Sequence, residues 1–80
     1  MSDTPAVTIY SATWCGFCAA AKQYLDRLGV SYTEKDVDEK REYAEEAMKV
    51  SGQTGIPVLV IGDKTIVGFD RPKIDAALKR

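Results

Sequence analysis

The chain has 80 residues, 45% of them hydrophobic, with eleven Lys and Arg against twelve Asp and Glu, a formal charge of −1 and no histidine. That length supports one compact domain over residues 1–80 rather than two, and the balanced, interspersed charge lacks the electrostatic footprint of a nucleic-acid binder. No apolar run approaches a membrane span, and two cysteines fall short of the dense disulfide framework of small secreted domains, so a soluble protein of a reducing, cytoplasmic compartment is expected.

Met1-Ser2-Asp3-Thr4-Pro5 has neither a basic nor an apolar leader segment and is expected to fray. The first strand is predicted from Ala6 to Tyr10, apolar enough to be central. Next come both cysteines, in Thr13-Trp14-Cys15-Gly16-Phe17-Cys18, followed by the good helix formers Ala19-Ala20-Ala21-Lys22-Gln23-Tyr24-Leu25. Phe17, Ala21, Tyr24, Leu25 and Leu28 fall on one buried stripe of a helix that Gly29 ends. Val30 to Val37 alternates and is rich in β-branched and aromatic side chains, with charges that place it at a sheet edge. Asp38 is a good N-cap for a second helix from Glu39 to about Val50, with Tyr43, Ala44, Ala47, Met48 and Val50 as its apolar side. The charges from Asp36 to Glu46 read as its solvated face. Ser51-Gly52-Gln53-Thr54-Gly55 is a helix stop and loop, and Ile56 to Ile61 a strongly apolar strand. Gly62-Asp63-Lys64 turns into Thr65-Ile66-Val67-Gly68, an antiparallel partner. A last helix is predicted from Arg71 to Lys79, capped by Asp70, with Pro72 in its first turn and Ile74, Ala77 and Leu78 inward. The order β-α-β-α-β-β-α predicts an α/β domain, a four-stranded mixed sheet with helices on both faces, its first two strands parallel across a helical crossover.

The chemistry concentrates at the strand-to-helix junction. Cys15 stands just before or within the first helical turn, where unpaired N–H groups and the positive end of the helix dipole favour a thiolate, so it is the expected nucleophile. Cys18, one turn on and on the same face, is placed to resolve a mixed disulfide. Gly16 leaves the approach to Cys15 open, and Phe17 serves either packing or partner contact. A permanent structural disulfide would close so short a loop that it stabilises little. A mononuclear structural zinc lacks ligands, because there is no His and no third Cys, so no metal is assigned. A cluster shared across a dimer with outside thiols stays open.

Tyr10, the Cys15-Gly16-Phe17-Cys18 box, Thr54-Gly55-Ile56-Pro57 and Gly68-Phe69-Asp70 together make the chain resemble a dithiol glutaredoxin of the thioredoxin superfamily, over almost its full length. The resemblance implies a thioredoxin-like fold and a monomer with no bound cofactor and glutathione as co-substrate. Pro57 matches the family's cis-proline, which would sit against the disulfide, and X-Pro is the one bond where cis is routine. Ile56 would offer its backbone N–H and C=O to an extended thiol substrate, a one-residue strand addition, with Gly55 and Phe17 beside it. Gly68, Phe69 and Asp70 match the segment that holds the γ-glutamyl end of glutathione, and Asp70 can cap the last helix as well.

There are departures. Glutaredoxins often carry a Lys three residues before the nucleophile and a Gly-Gly-Cys-Asp-like segment, where this chain has Ala12 and Val67-Gly68-Phe69-Asp70. The run Gly68-Phe69-Asp70-Arg71-Pro72 is similar to the redoxins that supply electrons to ribonucleotide reductase and draw them from thioredoxin reductase. Those usually show Ser-Gly-Phe-Arg-Pro and a Gln before the second cysteine, against the extra Asp70 and Phe17 here. Trp14 resembles thioredoxins and mycoredoxins. The expected activity is reduction of protein disulfides or glutathione mixed disulfides, with glutathione or thioredoxin reductase and disulfide-containing proteins as partners and neither membrane nor nucleic acid among them. The rival of another class is an iron-sulfur cluster carrier, since Cys15-Gly16-Phe17 matches the opening of the monothiol glutaredoxin box, although Cys18 departs from it.

Overall fold

A computed structural model describes residues 6–78. The expected frayed segment Met1–Pro5 and the predicted helical Lys79 lie outside them. The elements are β1 (Val7–Ser11), α1 (Gly16–Arg27), β2 (Thr33–Asp36), α2 (Arg41–Ser51), β3 (Val58–Ile61), β4 (Lys64–Val67) and α3 (Arg71–Leu78). The strands lie in the order β2-β1-β3-β4. β1 runs parallel to β2 and antiparallel to β3, and β3 and β4 form the antiparallel hairpin.

The period-two alternation of the strands divides the apolar side chains between two layers. Val7 and Ile9 of β1, Leu59 and Ile61 of β3 and Ile66 of β4 pack against Ala21 and Leu25 of α1 and Ile74 and Leu78 of α3. On the other face Tyr10 and Val58 meet Ala47 of α2. Helices cover both faces, which is why β3 reads as an unbroken apolar run and β2, paired on one side only, carries charge.

Several boundaries move for identifiable reasons. β2 begins at Thr33 rather than Val30, because Val30 belongs to the end of α1. Gly29, at φ +73°, donates to the Asp26 carbonyl and Val30 donates to the Leu25 carbonyl, both at 3.0 Å, and Val30 and Leu25 share the core. That pairing is a Schellman stop. α2 begins at Arg41, after a Lys40 whose side chain makes no capping bond. Asp38 is not its cap: the Asp38 N–H donates to Asp36 Oδ1 at 2.8 Å and Glu39 N–H to the Asp36 carbonyl at 3.1 Å, so residues 36–39 close a turn first. Tyr43, Ala44 and Ala47 form the inner side of α2, whereas Met48 and Val50 are exposed. Phe17 is exposed too, and the inward position of the first turn of α1 belongs to Cys18. β3 begins at Val58, with Ile56 and Pro57 leading into it, and β4 ends at Val67 because Gly68 turns out at φ +85°. Asp70 caps α3 as predicted, its Oδ1 accepting the Lys73 N–H at 3.2 Å.

Candidate active site

Register brings the site residues to one end of the sheet. Tyr10 pairs with Val58, and Val58 with Val67, so the segments leaving β1, entering β3 and leaving β4 lie side by side. The first holds Ala12 to Cys15, the second Ile56 and Pro57, the third Gly68, and the Gly68 N–H donates to the Pro57 carbonyl at 2.8 Å. The Ile56–Pro57 bond is cis.

Cys15 is the N-cap of α1. Its backbone is extended (φ −95°, ψ 111°), its carbonyl accepts the Ala19 N–H at 3.2 Å, and its Sγ accepts the Cys18 N–H at 3.2 Å. A cysteine sulfur thus does what a Ser or Asp oxygen usually does at a helix start. The same N–H and the positive end of the helix dipole are aimed at the Cys15 sulfur. Cys15 is half-buried, Cys18 is fully buried, and both are free thiols. Burial, followed by the hydrogen bond with Cys15, pushes the Cys18 thiol up from 9.0 to about 12, against the Ala12 N–H and the Lys22 charge.

Trp14 and Phe17, each 70% exposed, flank Cys15. Phe17 does not serve the packing role, since its ring is exposed. Trp14 is tethered, its indole N–H donating to Asp38 Oδ2 at 2.5 Å. Across the site, the Ile56 N–H and C=O have no hydrogen-bond partner among the described residues. Those of Gly55 do, since the Gln53 side-chain amide takes both. Phe69 is half-buried and turns back onto α1, edge-on to Tyr24 with ring centroids 5.9 Å apart. The Arg71 guanidinium lies 5.4 Å from the Tyr24 ring centre and 5.6 Å from that of Phe69. Asp70 is engaged in capping, with Lys73 Nζ 3.9 Å from its Oδ2.

Several side-chain bonds carry no sequence signal, most of them between distant segments. Asp38, expected as a cap, holds Trp14. Gln53, in the expected loop, grips Gly55 two residues on. Ser11, fully buried, donates to Glu34 Oε2 at 2.7 Å, and Lys22 Nζ donates to the same oxygen at 2.6 Å. Lys22 and then Ser11 hold the Glu34 carboxyl below its usual value, and Glu34 in turn raises Lys22. Among the described residues no group of three or more His, Cys, Asp or Glu side chains could hold a metal ion, and no helix is long and apolar enough to cross a membrane.

The glutaredoxin family model matches residues 7–66. This chain belongs to the glutaredoxin family. A glutaredoxin of Pseudomonas aeruginosa is 39% identical over 66 residues, which are 82% of this chain and 79% of that protein. NrdH-redoxin from Escherichia coli, a glutaredoxin-like protein with a thioredoxin-like activity profile, superposes with a TM-score of 0.79 at 31% identity, covering 89% of this chain and 92% of that one. A buckwheat glutaredoxin in complex with glutathione gives a TM-score of 0.75 at 28% identity, covering 95% of this chain and 74% of that one. The fold is thioredoxin-like, and family membership together with the Cys15 and Cys18 pair gives the protein a thiol-disulfide redox role.

Proposed function

We propose that this glutaredoxin reduces protein disulfides or glutathione mixed disulfides by two successive exchanges at Cys15 and Cys18. The observation that carries the reading is the division of labour between the thiols: one at the helix start under a backbone N–H, the other buried one turn in and pushed up to about 12. In the first exchange the Cys15 thiolate attacks the substrate disulfide, a Cys15–S–S–R bond forms, and the other half leaves as a thiolate that takes a proton from water. In the second, Cys18 gives up its proton and attacks the Cys15 sulfur, the thiolate of R departs, and the Cys15–Cys18 disulfide is left oxidised by two electrons. Burial keeps Cys18 protonated while Cys15 awaits substrate, so the two thiols do not compete for the first attack. The pair is then reduced from outside.

Glutathione as co-substrate is supported by the free backbone pair of Ile56 and by likeness to the buckwheat protein that binds it. Ala12 is buried at the position where a Lys is common, so Ile56 and the Gly68-Phe69-Asp70 segment carry more of the recognition. The second reading, electrons from thioredoxin reductase to ribonucleotide reductase, is favoured by likeness over nearly the whole of NrdH-redoxin. NADPH consumption with a small disulfide tests both. Turnover only with glutathione and its reductase supports the first reading, turnover only with thioredoxin reductase supports the second, and turnover with neither overturns both. A coloured dimer after anaerobic purification would instead favour cluster carriage.

A further inference from the structure

We propose that Gln53 is a positioning residue: its side-chain amide clamps Gly55 and thereby holds the Ile56 backbone edge in the orientation that a disulfide substrate pairs with. The inference rests on the reading that Ile56 receives the substrate, and it gives Gly55 a different part from that of a substrate contact.

Gly55 offers one donor and one acceptor on its backbone, and Gln53 meets both. Oε1 accepts the Gly55 N–H, and Nε2 donates to the Gly55 carbonyl at 2.8 Å. Nε2 also donates to Ser51 Oγ at 3.1 Å, and Ser51 in turn donates to the Ala47 carbonyl at 2.5 Å in the last turn of α2. Only one orientation of the amide satisfies all three contacts, because an acceptor cannot meet a carbonyl. The side-chain amide occupies the two polar groups of Gly55 that a paired strand would otherwise take. It ties the loop to α2, whose Ala47 is buried against Tyr10 and Val58. Ile56 follows directly, with its own N–H and C=O unpaired among the described residues. Backbone pairing with a substrate therefore starts at Ile56, on a segment fixed from one side by Gln53 and from the other by the Gly68–Pro57 hydrogen bond. Ordering that edge in advance spares the substrate the entropic cost of ordering it on binding.

The same geometry explains the glycine. A Cβ on Gly55 would lie 2.6 Å from Gln53 Oε1, the far end of a flexible side chain. Gly55→Ala should therefore displace Gln53 rather than the backbone and undo the clamp by a second route. The probe is a short peptide carrying one glutathionylated cysteine, turned over with whichever reductant supports the wild type. Gln53→Ala and Gly55→Ala should each raise KM about fivefold, the weight of roughly one net hydrogen bond, with kcat held within about twofold. The double variant should match either single variant, because both remove one clamp. An unchanged KM in Gln53→Ala, a fall in kcat at constant KM, or effects that multiply in the double variant overturns the proposal while leaving the function standing. A wild type inert with both reductants overturns the function and the clamp's role with it.

Discussion

Cys15 and Cys18 carry the same thiol and differ only in what surrounds it, so their substitutions separate. Cys15→Ser should abolish turnover of every disulfide substrate. Cys18→Ser should block reduction of protein disulfides that need resolution and retain deglutathionylation, which uses the first thiol alone; glutathione release from a labelled peptide reads the difference. Cys18 also makes stability depend on pH. Its folded-state pKa lies above the ordinary thiol value of 9.0, at about 12, so the protonated form is the one folding favours. That contribution is complete below pH 9.0 and is lost as pH rises towards about 12. The melting temperature of the reduced protein should fall more steeply above pH 9.0 than that of Cys18→Ala, and parallel curves would show the thiol to be less confined than its burial implies. The cysteine spacing and the strand-to-helix context were legible in the sequence. That the Cys18 N–H would find the Cys15 sulfur, or that Trp14 would find Asp38, depended on coordinates of the backbone between them.

At the scale of elements, Glu34 is where the edge strand β2 is fastened to α1 and to the buried end of β1. Glu34→Ala leaves the Ser11 hydroxyl without its partner, a loss of about 1–3 kcal/mol, whereas Glu34→Gln keeps an acceptor and should cost under about 1 kcal/mol for a half-exposed ion pair. Urea midpoints of the two variants check the order. The Glu34 carboxyl is held below its usual 4.5, so its contribution is present above that pH and lost as pH falls through the lowered value. Glu34→Gln should accordingly flatten the acid side of the stability profile. Asp70→Ala removes the cap of α3 at about 1 kcal/mol. If glutathione also uses that carboxylate, its KM rises with the same substitution. Helix 1 was readable to its last turn, because Gly29 stops it by a local rule. α2 starts at Arg41 rather than Glu39, because Asp36 and Asp38 are both good turn and cap residues and only the path of the chain chooses between them.

Across the whole molecule, two apolar layers of unequal size hold the sheet, and the larger one, between the sheet and α1 with α3, buries most of the core side chains. Leu25, fully buried there, should cost about 2–5 kcal/mol as Leu25→Ala, a large share of the roughly 5–15 kcal/mol of an ordinary domain; a denaturant melt checks it. The element order, the parallel β1–β2 unit, the β3–β4 hairpin and the cysteine pair at a helix start are legible in the sequence, because periodicity, glycine stops and turn residues are local signals that survive without coordinates. The tertiary structure alone decided which groups converge on that pair. The one-end alignment of Cys15, Ile56 and Gly68, the exposure of Phe17 and the inward turn of Phe69 all follow from strand register and loop path. Those are set by the packing of segments tens of residues apart, and no window of sequence contains them.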